Sequence, residues 1–591
     1  MKPKDSADTS ALRARLAYEP QVLKFGTSGR RGEVVHLTQL EIYINATAEL
    51  EYLQSLPRGD GGIVRGDEFF FACDLRPSSS RYAPEHQGRG EIAQAIVRAI
   101  RDAGMKPVNL GMLPTPALTC HAIERGKGSM MITGSHIPFE RNGYKTNTAR
   151  GELLKKDEAP INARVEQVRE RLYNQPFADS LFNEQGFFKS GSQPLPPEDS
   201  AGRAGYIRRY TEFFAGRSLK GKRLLAYQHS AVGRDMLVEI LRQLGAEVIP
   251  AGRSETFVPI DTENIDEEQL ANIQALADEA AAKHGPLDAV VSTDGDSDRP
   301  LILGVEPGGA RPPGALSSSA RVKFFGGDLV GMIVAEFLGA DAVVVPISCN
   351  DAIDRGPLKD SVEPKTRIGS PFVVAGMEKA RAKGRKAVCG WEANGGFLTG
   401  SDIERGGKLL RALPTRDAML PILGVLFSTV EKGVAMTALL ERLPKRFSRA
   451  ALLKKFPRPT SLRIVERFSP ADGKIKEMVF EKGGVTLLDE DRRELPASGP
   501  LTQAMLGIGE TLGRFFAPTL GFGGIVRLNY TDGVRIYFSN GDVAHVRPSG
   551  NADELRIYAV ADTQARADAI TKLGVAEPDG ILRRLEKAVT A

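Results

Sequence analysis

The sequence has only four cysteines and no long uninterrupted apolar run. The cysteines lie far apart and outside any C-x-x-C spacing, which argues against both a zinc site and a disulfide framework. The most apolar stretches, 327–347 and 418–430, are interrupted by acidic residues or shorter than the roughly 20 residues that a bilayer requires. The first ten residues lack the apolar core of a secretory signal. We therefore expect a cytoplasmic protein without a membrane partner.

A strong excess of charge of one sign is also absent. The chain carries 79 basic and 74 acidic side chains, which gives a formal net charge of +5. The basic residues are dispersed rather than gathered into runs. This balance gives no support to a nucleic-acid partner, but it is compatible with a locally positive cleft that binds an anionic substrate.

The length of 591 residues is too great for a single hydrophobic core, so about two to five domains are expected. Between residues 69 and 135, short β-rich runs alternate with helical patterns, and the alternation recurs at 223–296 and at 329–433. Such alternation is typical of α/β domains with mixed or mostly parallel sheets. The sequence therefore predicts three consecutive α/β domains.

The pattern changes after residue 444. Apolar runs between 526 and 560, separated by D-G and N-G turns, predict antiparallel strands that two helices follow. The last domain is therefore expected to be α+β. Segments rich in Gly, Pro and Ser at 190–205 and 306–321 are typical of linkers or surface loops. With boundaries near these segments, the predicted domains are 1–200, 201–315, 316–445 and 446–591.

The first chemical motif follows the apolar run at 129–132. That run ends in Thr133, Gly134, Ser135 and His136. Loops at the carboxyl ends of parallel strands are where α/β sheets place ligands, and a serine hydroxyl there can accept and return a phosphoryl group. By itself, the pattern is more typical of an ordinary loop turn.

The second motif is an acidic loop after a strand. Asp294, Asp296 and Asp298 stand at every second position, and Arg299 follows them. Such a hard-oxygen cluster suits magnesium. An EF-hand loop would need glycine and glutamate where Arg299 and Val305 stand, and an aspartyl-phosphatase pattern would need threonine at position 298. A solvated acidic turn stays the alternative.

Two further loops carry side chains suited to a sugar phosphate. Glu392 and Asn394 follow a strand-like run, and their acid and amide groups can hydrogen bond with sugar hydroxyls. Arg547 and Ser549, with the glycine that follows, suit bidentate phosphate recognition. An arginine in an ordinary strand-end turn is the alternative for the latter. A Walker A nucleotide site is excluded at 400–408, where the spacing of glycine and lysine is wrong.

Taken in chain order, these motifs resemble those of the α-D-phosphohexomutase family, which includes phosphomannomutases and phosphoglucomutases. Segment 24–32 (KFGTSGRRG) resembles the family's F-G-T-S-G-x-R-G, and segment 133–145 (TGSHIPFERNGYK) resembles its phosphoserine loop, T-A-S-H-N-P…N-G-x-K. Segment 293–299 (TDGDSDR) is similar to its metal loop, D-G-D-x-D-R. Segments 390–397 (GWEANGGF) and 547–558 (RPSGNADELRIY) are similar to its sugar loop, G-E-x-S-G, and its phosphate loop, R-P-S-G-T-E-P-x-x-R-x-Y. The resemblance extends over nearly the whole chain.

The resemblance implies a mutase that moves a phosphoryl group between O1 and O6 of a hexose phosphate. It also implies Mg²⁺ as cofactor, hexose 1,6-bisphosphate as intermediate and activator, Ser135 as phosphoryl carrier and Lys145 as general acid/base. The implied catalytic residues are Ser135, Lys145, His136, Arg31 and Arg299. The implied metal ligands are Ser135, Asp294, Asp296 and Asp298. The implied substrate-binding residues are Glu392, Asn394, Arg547, Ser549, Gly550 and Asn551.

Departures from the family pattern bear on which sugar is preferred. Ile137 replaces the usual Asn beside the serine, and Asn394 replaces the Ser of the sugar loop. In the phosphate loop, residues 551–553 (NAD) replace Thr-Glu-Pro. The family's third-domain pattern T-x-x-G-x-K is met only in part at 366–371, so no catalytic base is assigned there.

We expect a phosphomannomutase that acts on small-molecule hexose phosphates, as a monomer or small homo-oligomer. A phosphoglucomutase or a dual-specificity mutase is the alternative. A phosphatase that uses the aspartates would instead release inorganic phosphate. A non-catalytic sugar-phosphate-binding protein would bind without turnover, and it is disfavoured because the chain keeps Ser135, Lys145 and all three aspartates.

Overall fold

The computed structural model of the protein divides into two compact units. It describes the chain except for residues 1–9, 27–28, 84–88, 264, 307–319, 482–483, 550–552 and 591. The first unit is Met1–Gly339 with Asn394–Leu439, and the second is Ala340–Ala393 with Leu440–Ala591. Within the described residues, no helix combines the length and the apolar character needed to cross a membrane.

The first unit begins with a six-stranded mixed sheet. Its main strand order is Arg30–Glu33, Arg141–Thr148, Ser129–Ile132, Glu68–Cys73 and Lys106–Met112, and the sixth strand, Gly151–Glu152, pairs with the second of these. The last three strands in that order are parallel, whereas Arg141–Thr148 is antiparallel to both of its neighbours. A small antiparallel pair consists of Tyr82–Ala83 and Arg89–Gly90. The helices of this region are Leu12–Arg15, Gln39–Ser55, Pro77–Ser80, Ile92–Asp102, Thr115–Glu124 and Lys155–Tyr173.

The helices around this sheet form where the sequence favours them. In Ile92–Asp102 the apolar residues recur at three- and four-residue spacing, so one face is buried. Gln39–Ser55 is capped by Thr38, whose hydroxyl oxygen accepts the N–H of Glu41 at 3.1 Å. The buried helix faces and the strand side chains share one apolar core. This core fixes the strand ends from which the loops of the candidate site emerge.

A second mixed sheet follows in the same unit. Its strand order is Glu247–Arg253, Arg223–His229, Ala289–Thr293, Pro300–Glu306 and Arg321–Phe324. The first three of these strands are parallel, and the last two run antiparallel to their neighbours. The helices of this region are Ala201–Phe213, Arg234–Gln243 and Glu267–His284. Because Ala289–Thr293 is the central strand and is buried along its length, the loop after it also starts in the interior.

The rest of the first unit contains two short antiparallel pairs. Phe397–Thr399 pairs with Leu413–Asp417, and Ile403–Arg405 pairs with Lys408–Leu410. The helices Gly327–Leu338 and Met419–Lys432 are buried over most of their lengths. The helix Met436–Glu441 begins at the end of this unit.

The second unit is dominated by an antiparallel sheet. Its order is Phe447–Lys454, Glu554–Ala561, Val543–Pro548, Val534–Phe538, Ile525–Asn529, Glu477–Glu481, Gly484–Leu488 and Glu494–Leu495. Its apolar core also includes side chains from the helices Arg458–Arg467, Gly499–Phe515, Gln564–Val575 and Ile581–Thr590. A parallel pair, Ala342–Val344 and Val388–Trp391, and the helix Ser370–Ala382 complete the unit.

The predicted fold class, α/β domains with mixed sheets and a C-terminal α+β domain, is confirmed. The four predicted domain ranges stay predictions. The sequence predicts only part of the antiparallel sheet, because it gives no strand pattern for Phe447–Lys454, Glu477–Glu481 or Gly484–Leu488. These strands carry many polar or partly exposed residues, so they lack a clear apolar alternation.

Candidate active site

The three aspartates of the predicted metal loop lie together at the end of a buried strand. The chain turns immediately after Ala289–Thr293. One carboxylate oxygen from each of Asp294, Asp296 and Asp298 lies within 4.8 Å of the others, and all three residues are buried. Asp294 also shapes the turn, because its Oδ1 accepts the backbone N–H groups of Asp298 and Arg299 at 3.1 Å each. The spacing in the sequence thus becomes a compact acidic site.

The donor set of this acidic site fits a cation. Among the described residues, Oδ1 of Asp296 and Oδ1 of Asp298 are buried without a hydrogen-bond partner. Burial and the charges of Asp296 and Asp298 raise the pKa of Asp294 well above its usual value. Burial acts in the same direction on Asp296, but its ion pair with Lys145 outweighs this and holds the pKa of Asp296 below its usual value. Crowded hard oxygens of this kind are suited to a small divalent cation such as Mg²⁺.

Ser135 reaches the acidic site from the first sheet. It is fully buried, and its Oγ donates a hydrogen bond to Asp294 Oδ2 at 2.8 Å. Its backbone φ of +54° lies in the left-handed region, which non-glycine residues adopt mainly in turns and at functional sites. Gly295 allows the two loops to approach, since a Cβ there would lie 2.6 Å from the carbonyl oxygen of Ser135. The serine loop and the acidic loop are therefore in direct contact.

Lys145 bridges two of the three carboxylates. It lies on the strand Arg141–Thr148, opposite Met131 of the serine strand. Its Nζ is 2.6 Å from Asp296 Oδ2 and 2.7 Å from Asp298 Oδ2, and its side chain is only 6% exposed. A buried ammonium group of this kind is stable because the carboxylates compensate for its lost hydration.

His136 is held neutral beside the serine. Its Nδ1 lies 3.5 Å from Ser135 Oγ. Burial, followed by the positive charges of Arg299 and Arg31, lowers the pKa of His136 well below its usual value. At pH 7 the imidazole can therefore take part in hydrogen bonds without adding charge to the site.

Two arginines bring positive charge to the same region. Nε of Arg31 and Nε of Arg299 are buried without a hydrogen-bond partner among the residues that the structure describes. Burial, partly offset by Asp296, lowers the pKa of Arg31 to about 10, so its guanidinium stays charged at pH 7. Arg299 Nε lies 3.6 Å from Asp298 Oδ1. Guanidinium groups with buried donors to spare are suited to phosphate oxygens.

Arg416 is a site residue that the sequence analysis does not predict. Its Nε and Nη2 donate to Asp298 Oδ2 at 3.1 and 2.8 Å, and the residue is buried. Gly396 makes room for it, because a Cβ at that position would lie 2.6 Å from Arg416 Cδ. An arginine within a short strand, Leu413–Asp417, has no local pattern that marks it as part of an acidic site.

Thr115 is a second residue that the sequence analysis misses. Its Oγ1 donates to Asp296 Oδ2 at 2.6 Å, and its backbone N–H donates to the carbonyl of Asp296 at 3.0 Å. Thr115 is the first residue of the helix Thr115–Glu124. The prolines on either side of it are a sequence signal for a helix start, but not for contact with an aspartate far along the chain.

The predicted sugar-binding residues belong to different units. Glu392 is a buried residue of the second unit and follows the strand Val388–Trp391. Asn394 belongs to the first unit, where its Oδ1 accepts the N–H of Gly396 at 3.0 Å and its carbonyl accepts the hydroxyl of Thr262 at 2.9 Å. Asn394 therefore shapes its own loop through its side-chain oxygen.

The predicted phosphate loop lies in the second unit. Arg547 Nε is 3.2 Å from Asp532 Oδ1, and the other carboxylate oxygen of Asp532 accepts the N–H of Ile368 at 3.0 Å. Ser549 is buried, and its N–H donates to the carbonyl of Glu554 at 3.0 Å. Asp532 thus orients the guanidinium of Arg547. Two predicted residues of this loop lie outside the described residues: Gly550 and Asn551.

All eight predicted catalytic and metal-binding residues meet in one place in the first unit. The residues gathered there are Ser135, His136, Lys145, Arg31, Asp294, Asp296, Asp298 and Arg299. The serine, the carboxylates and the ammonium group are in direct contact. Such a site can hold a divalent cation and a nucleophile beside each other, with positive charge available for an anionic group.

Domain models of one protein family match the chain in four successive segments. This family is phosphoglucomutase/phosphomannomutase. Its alpha/beta/alpha domain I matches residues 22–172, domain II matches 204–306, domain III matches 326–447 and the C-terminal domain matches 502–572. Residues 448–501 lie between the last two matches, and they include two of the strands absent from the sequence prediction, Glu477–Glu481 and Gly484–Leu488.

Two curated relatives are similar over almost their full lengths. A phosphomannomutase from Sinorhizobium fredii is 35% identical over 555 residues, which cover 94% of this chain and 98% of that protein. A phosphomannomutase from Salmonella muenchen is 34% identical over 552 residues, which cover 92% and 93%. A solved structure, that of a phosphoglucomutase/phosphomannomutase family protein from Burkholderia thailandensis, has a TM-score of 0.60 at 16% identity and covers 95% of this chain and 97% of its own. This last likeness concerns the fold.

Proposed function

The chain belongs to the phosphoglucomutase/phosphomannomutase family, and on that premise we propose that it is a phosphomannomutase whose phosphoryl carrier is Ser135. As a phosphohexomutase it is an isomerase that interconverts hexose 1-phosphate and hexose 6-phosphate. The sugar, the set of metal ligands and the role of each residue are our proposal. A cytoplasmic location and a monomeric or small homo-oligomeric state stay predictions.

One observation carries the proposal: the serine hydroxyl and the acidic site are in contact. Ser135 Oγ lies 2.8 Å from Asp294 Oδ2, although 159 residues separate the two positions. Lys145 contacts the other two carboxylates of the same cluster. A nucleophile, a cation site and a proton-bearing amine in one buried place are what phosphoryl transfer through a covalent intermediate requires.

The acidic site is proposed to hold Mg²⁺. Its ligands would be oxygens of Ser135, Asp294, Asp296 and Asp298. When bound, the ion would offset the negative charge of the phosphoryl group during transfer. Lys145 and Arg416, which contact the carboxylates directly, would limit the net negative charge of the cluster.

In the first half-reaction, phosphorylated Ser135 gives its phosphoryl group to the free hydroxyl of the bound sugar phosphate. The bond between phosphorus and the serine oxygen breaks, and a bond between phosphorus and the sugar oxygen forms. The proton of the sugar hydroxyl must leave, and the serine oxygen must gain one. We assign this proton exchange to Lys145, because its Nζ lies on the same acidic cluster as the serine hydroxyl.

In the second half-reaction, hexose 1,6-bisphosphate turns within the site and returns its other phosphoryl group to the serine. The two sugar oxygens must in turn occupy the same place beside Ser135. Arg31 and Arg299 are proposed to bind the oxygens of the transferring group, since their buried Nε donors have no hydrogen-bond partner among the described residues. Exclusion of water from this buried site would protect the intermediate from hydrolysis.

The phosphate that is not being transferred is assigned to the loop in the second unit. The ion pair with Asp532 keeps the guanidinium of Arg547 near the loop, and its N–H groups can bind a phosphate in bidentate fashion. The other proposed phosphate ligands are Ser549, Gly550 and Asn551.

The sugar hydroxyls are assigned to Glu392 and Asn394. The carboxylate of Glu392 can accept hydrogen bonds from hydroxyls. The side-chain oxygen of Asn394 already accepts from Gly396, so its amide group is the donor that can reach a sugar. Mannose is proposed as the physiological sugar because the curated relatives with the highest identities given above are phosphomannomutases.

A coupled isomerisation assay tests the substrate. It compares mannose 1-phosphate, glucose 1-phosphate and N-acetylglucosamine 1-phosphate at matched concentrations. We expect the highest kcat/KM for mannose 1-phosphate and no net release of inorganic phosphate. A higher value for glucose 1-phosphate would identify a phosphoglucomutase, and stoichiometric phosphate release would identify a phosphatase.

Peptide mass spectrometry tests the phosphoryl carrier. The purified wild type, incubated with glucose 1,6-bisphosphate, should carry phosphate on Ser135. Ser135→Ala should lose at least about 1,000-fold in kcat. Ser180→Ala is the matched control, because Ser180 is a buried serine of the same unit whose Oγ accepts a backbone N–H from Phe182. Full activity of Ser135→Ala with added bisphosphate would contradict the assignment.

A further inference from the structure

Arg76 lies beneath the loop that carries Ser135. It follows the strand Glu68–Cys73 and is 1% exposed. Its guanidinium donates to four backbone carbonyls, those of Ser135 at 3.0 Å, Ile137 at 2.5 Å, Pro138 at 2.9 Å and Arg141 at 3.0 Å. One side chain therefore ties together the loop from the serine to the start of the next strand.

Asp74 accepts hydrogen bonds from donors of the same loop. Its Oδ2 accepts the hydroxyl of Thr133 at 2.8 Å and the N–H of Gly134 at 3.2 Å. The hydroxyl oxygen of Thr133 in turn accepts the N–H of Ser135 at 2.7 Å. Asp74 and Arg76 thus fix both the N–H and the carbonyl of Ser135, one through Thr133 and the other directly.

This double attachment matches the unusual backbone of the serine. Ser135 has a left-handed φ of +54°, and a non-glycine residue keeps such a conformation only where its surroundings enforce it. The direct bond from Arg76 to the carbonyl of Ser135 is one of those constraints. Without it, the peptide after Ser135 can rotate, and Oγ need no longer lie against Asp294.

The guanidinium has little freedom to move away. Gly134 makes room for the guanidinium, because a Cβ at position 134 would lie 2.6 Å from Arg76 Nε. On another side the centroid of the Phe257 ring lies 3.7 Å from Arg76 Cζ, in a cation–π contact. Close packing on both sides keeps the four hydrogen bonds in register.

We propose that Arg76 is a positioning residue for phosphoryl transfer: it presents Ser135 Oγ to the acidic site without contacting the substrate. The inference rests on the proposed role of Ser135 as phosphoryl carrier. The positioning role requires an arginine, because the planar guanidinium offers several N–H donors in a fixed fork. A lysine at position 76 keeps the charge beside Asp74, but its single ammonium group cannot reach carbonyls spread over residues 135–141.

Single-turnover kinetics of the phosphoenzyme test the inference. Wild type, Arg76→Ala and Arg76→Lys are phosphorylated with glucose 1,6-bisphosphate, and the loss of phosphate from Ser135 to mannose 1-phosphate is followed in a quenched-flow instrument. Both variants should transfer about 100-fold more slowly, since a shift of about 1 Å at a reacting atom has an effect of this size. The KM for mannose 1-phosphate should change by less than about threefold, because no substrate contact is removed.

The matched control is Arg169→Ala. Arg169 is another buried arginine of the first unit, and its guanidinium binds Glu41 at 2.6 and 2.9 Å rather than any part of the serine loop. This variant should lower the thermal midpoint and keep the transfer rate. Added methylguanidinium should restore part of the transfer rate of Arg76→Ala and leave the rate of Arg169→Ala unchanged.

The outcomes distinguish a failure of the proposed function of Ser135 from a failure of the proposed role of Arg76. If wild type carries no phosphate on Ser135, the proposed function is wrong, and the role of Arg76 is wrong with it. If wild type is phosphorylated and Arg76→Lys transfers at the wild-type rate, the positioning role alone is overturned. Should Arg76→Ala not fold, the lysine variant decides the question, because it keeps the positive charge next to Asp74.

Discussion

Nζ of Lys145 lies 2.6 Å from Oδ2 of Asp296, and both side chains are buried. The ammonium group compensates a carboxylate that water does not reach, and through a second contact it does the same for Asp298. Removing one partner of such a contact leaves an uncompensated charge in the interior. Lys145 should therefore affect stability as well as proton transfer.

Lys145→Met should lower the free energy of unfolding by about 3–5 kcal/mol in the absence of divalent cations. Mg²⁺ should restore part of this loss, because a bound cation compensates the same carboxylates. Urea denaturation of wild type and variant, each with chelator and with saturating Mg²⁺, measures both effects. We expect the stabilisation by Mg²⁺ to be larger in the variant than in the wild type.

Lys283→Met is the control for this experiment. Lys283 pairs with Glu279 at 2.6 Å, but both side chains are largely exposed on the helix Glu267–His284. Its loss should change the free energy of unfolding by no more than about 0.5 kcal/mol, with or without Mg²⁺. An equally small effect of Lys145→Met would show that the buried contact is not needed to compensate the aspartates.

Thr115→Val should weaken Mg²⁺ binding. The substitution keeps the shape of the side chain and removes the hydroxyl that donates to Asp296 Oδ2 at 2.6 Å. Loss of a hydrogen bond that orients a metal ligand typically reduces metal affinity by about 10–100-fold. Isothermal titration calorimetry with Mg²⁺ gives the affinity directly, without recourse to activity.

Thr119→Val separates this effect from helix stability. Thr119 lies one turn further along the same helix, and its hydroxyl donates to the carbonyl of Thr115. Its replacement should leave the Mg²⁺ affinity within about twofold of the wild type. If both valine variants bind Mg²⁺ equally well, the hydroxyl of Thr115 does not orient Asp296.

The acidic site could be predicted from the sequence because its parts are local. Alternate aspartates after an apolar strand place three carboxylates within one turn, and the structure confirms that cluster. The contact between Ser135 and Asp294 is not local, and only the resemblance to a family connected the two motifs. Thr115 and Arg416 were not predicted for the same physical reason, since each reaches the aspartates from a distant element and no local pattern marks either residue.

The fold, like the site, could be predicted only where a local sequence pattern is clear. Short buried strands such as Ala289–Thr293 alternate with helical patterns, and this alternation allowed the α/β class to be predicted. The edge of the second unit's sheet did not follow from the sequence, because Phe447–Lys454 is mostly exposed along its first half and carries no regular apolar face. The separation of Glu392 from Asn394 into different compact units could not be predicted either, because the two residues are neighbours in one short motif.

His229 should make the protein less stable in mild acid. Burial outweighs the hydrogen bond from its Nε2 to the carbonyl of Thr293 and lowers the pKa of His229 from its usual 6.5 to about 4. Between these values the unfolded chain binds a proton that the folded chain does not, so stability rises with pH. The contribution is fully present above about pH 6.5 and is lost as the pH falls towards 4.

Replacement by a residue that does not titrate isolates this contribution. Between pH 7 and pH 5, His229→Gln should lose about 2 kcal/mol less of its free energy of unfolding than the wild type does. Urea denaturation at the two pH values measures the difference. His36→Gln is the control, since His36 is about half exposed. An unchanged pH dependence in His229→Gln would mean that His229 is not held neutral by the fold.

The enzyme should discriminate only weakly between mannose 1-phosphate and glucose 1-phosphate, and substitution of Asn394 tests this. Mannose and glucose differ only at C2, whereas the family's sugar loop is implied to bind the hydroxyls at C3 and C4, which the two sugars share. One hydrogen bond changes a rate constant by roughly tenfold, so kcat/KM for mannose 1-phosphate and glucose 1-phosphate should lie within about two orders of magnitude. Asn394→Ser should change that ratio by less than about tenfold, because a serine hydroxyl can also accept the N–H of Gly396 and keep the turn. If the wild-type ratio exceeds 100 and falls sharply in Asn394→Ser, the asparagine amide itself selects the sugar, and the enzyme is specific rather than dual.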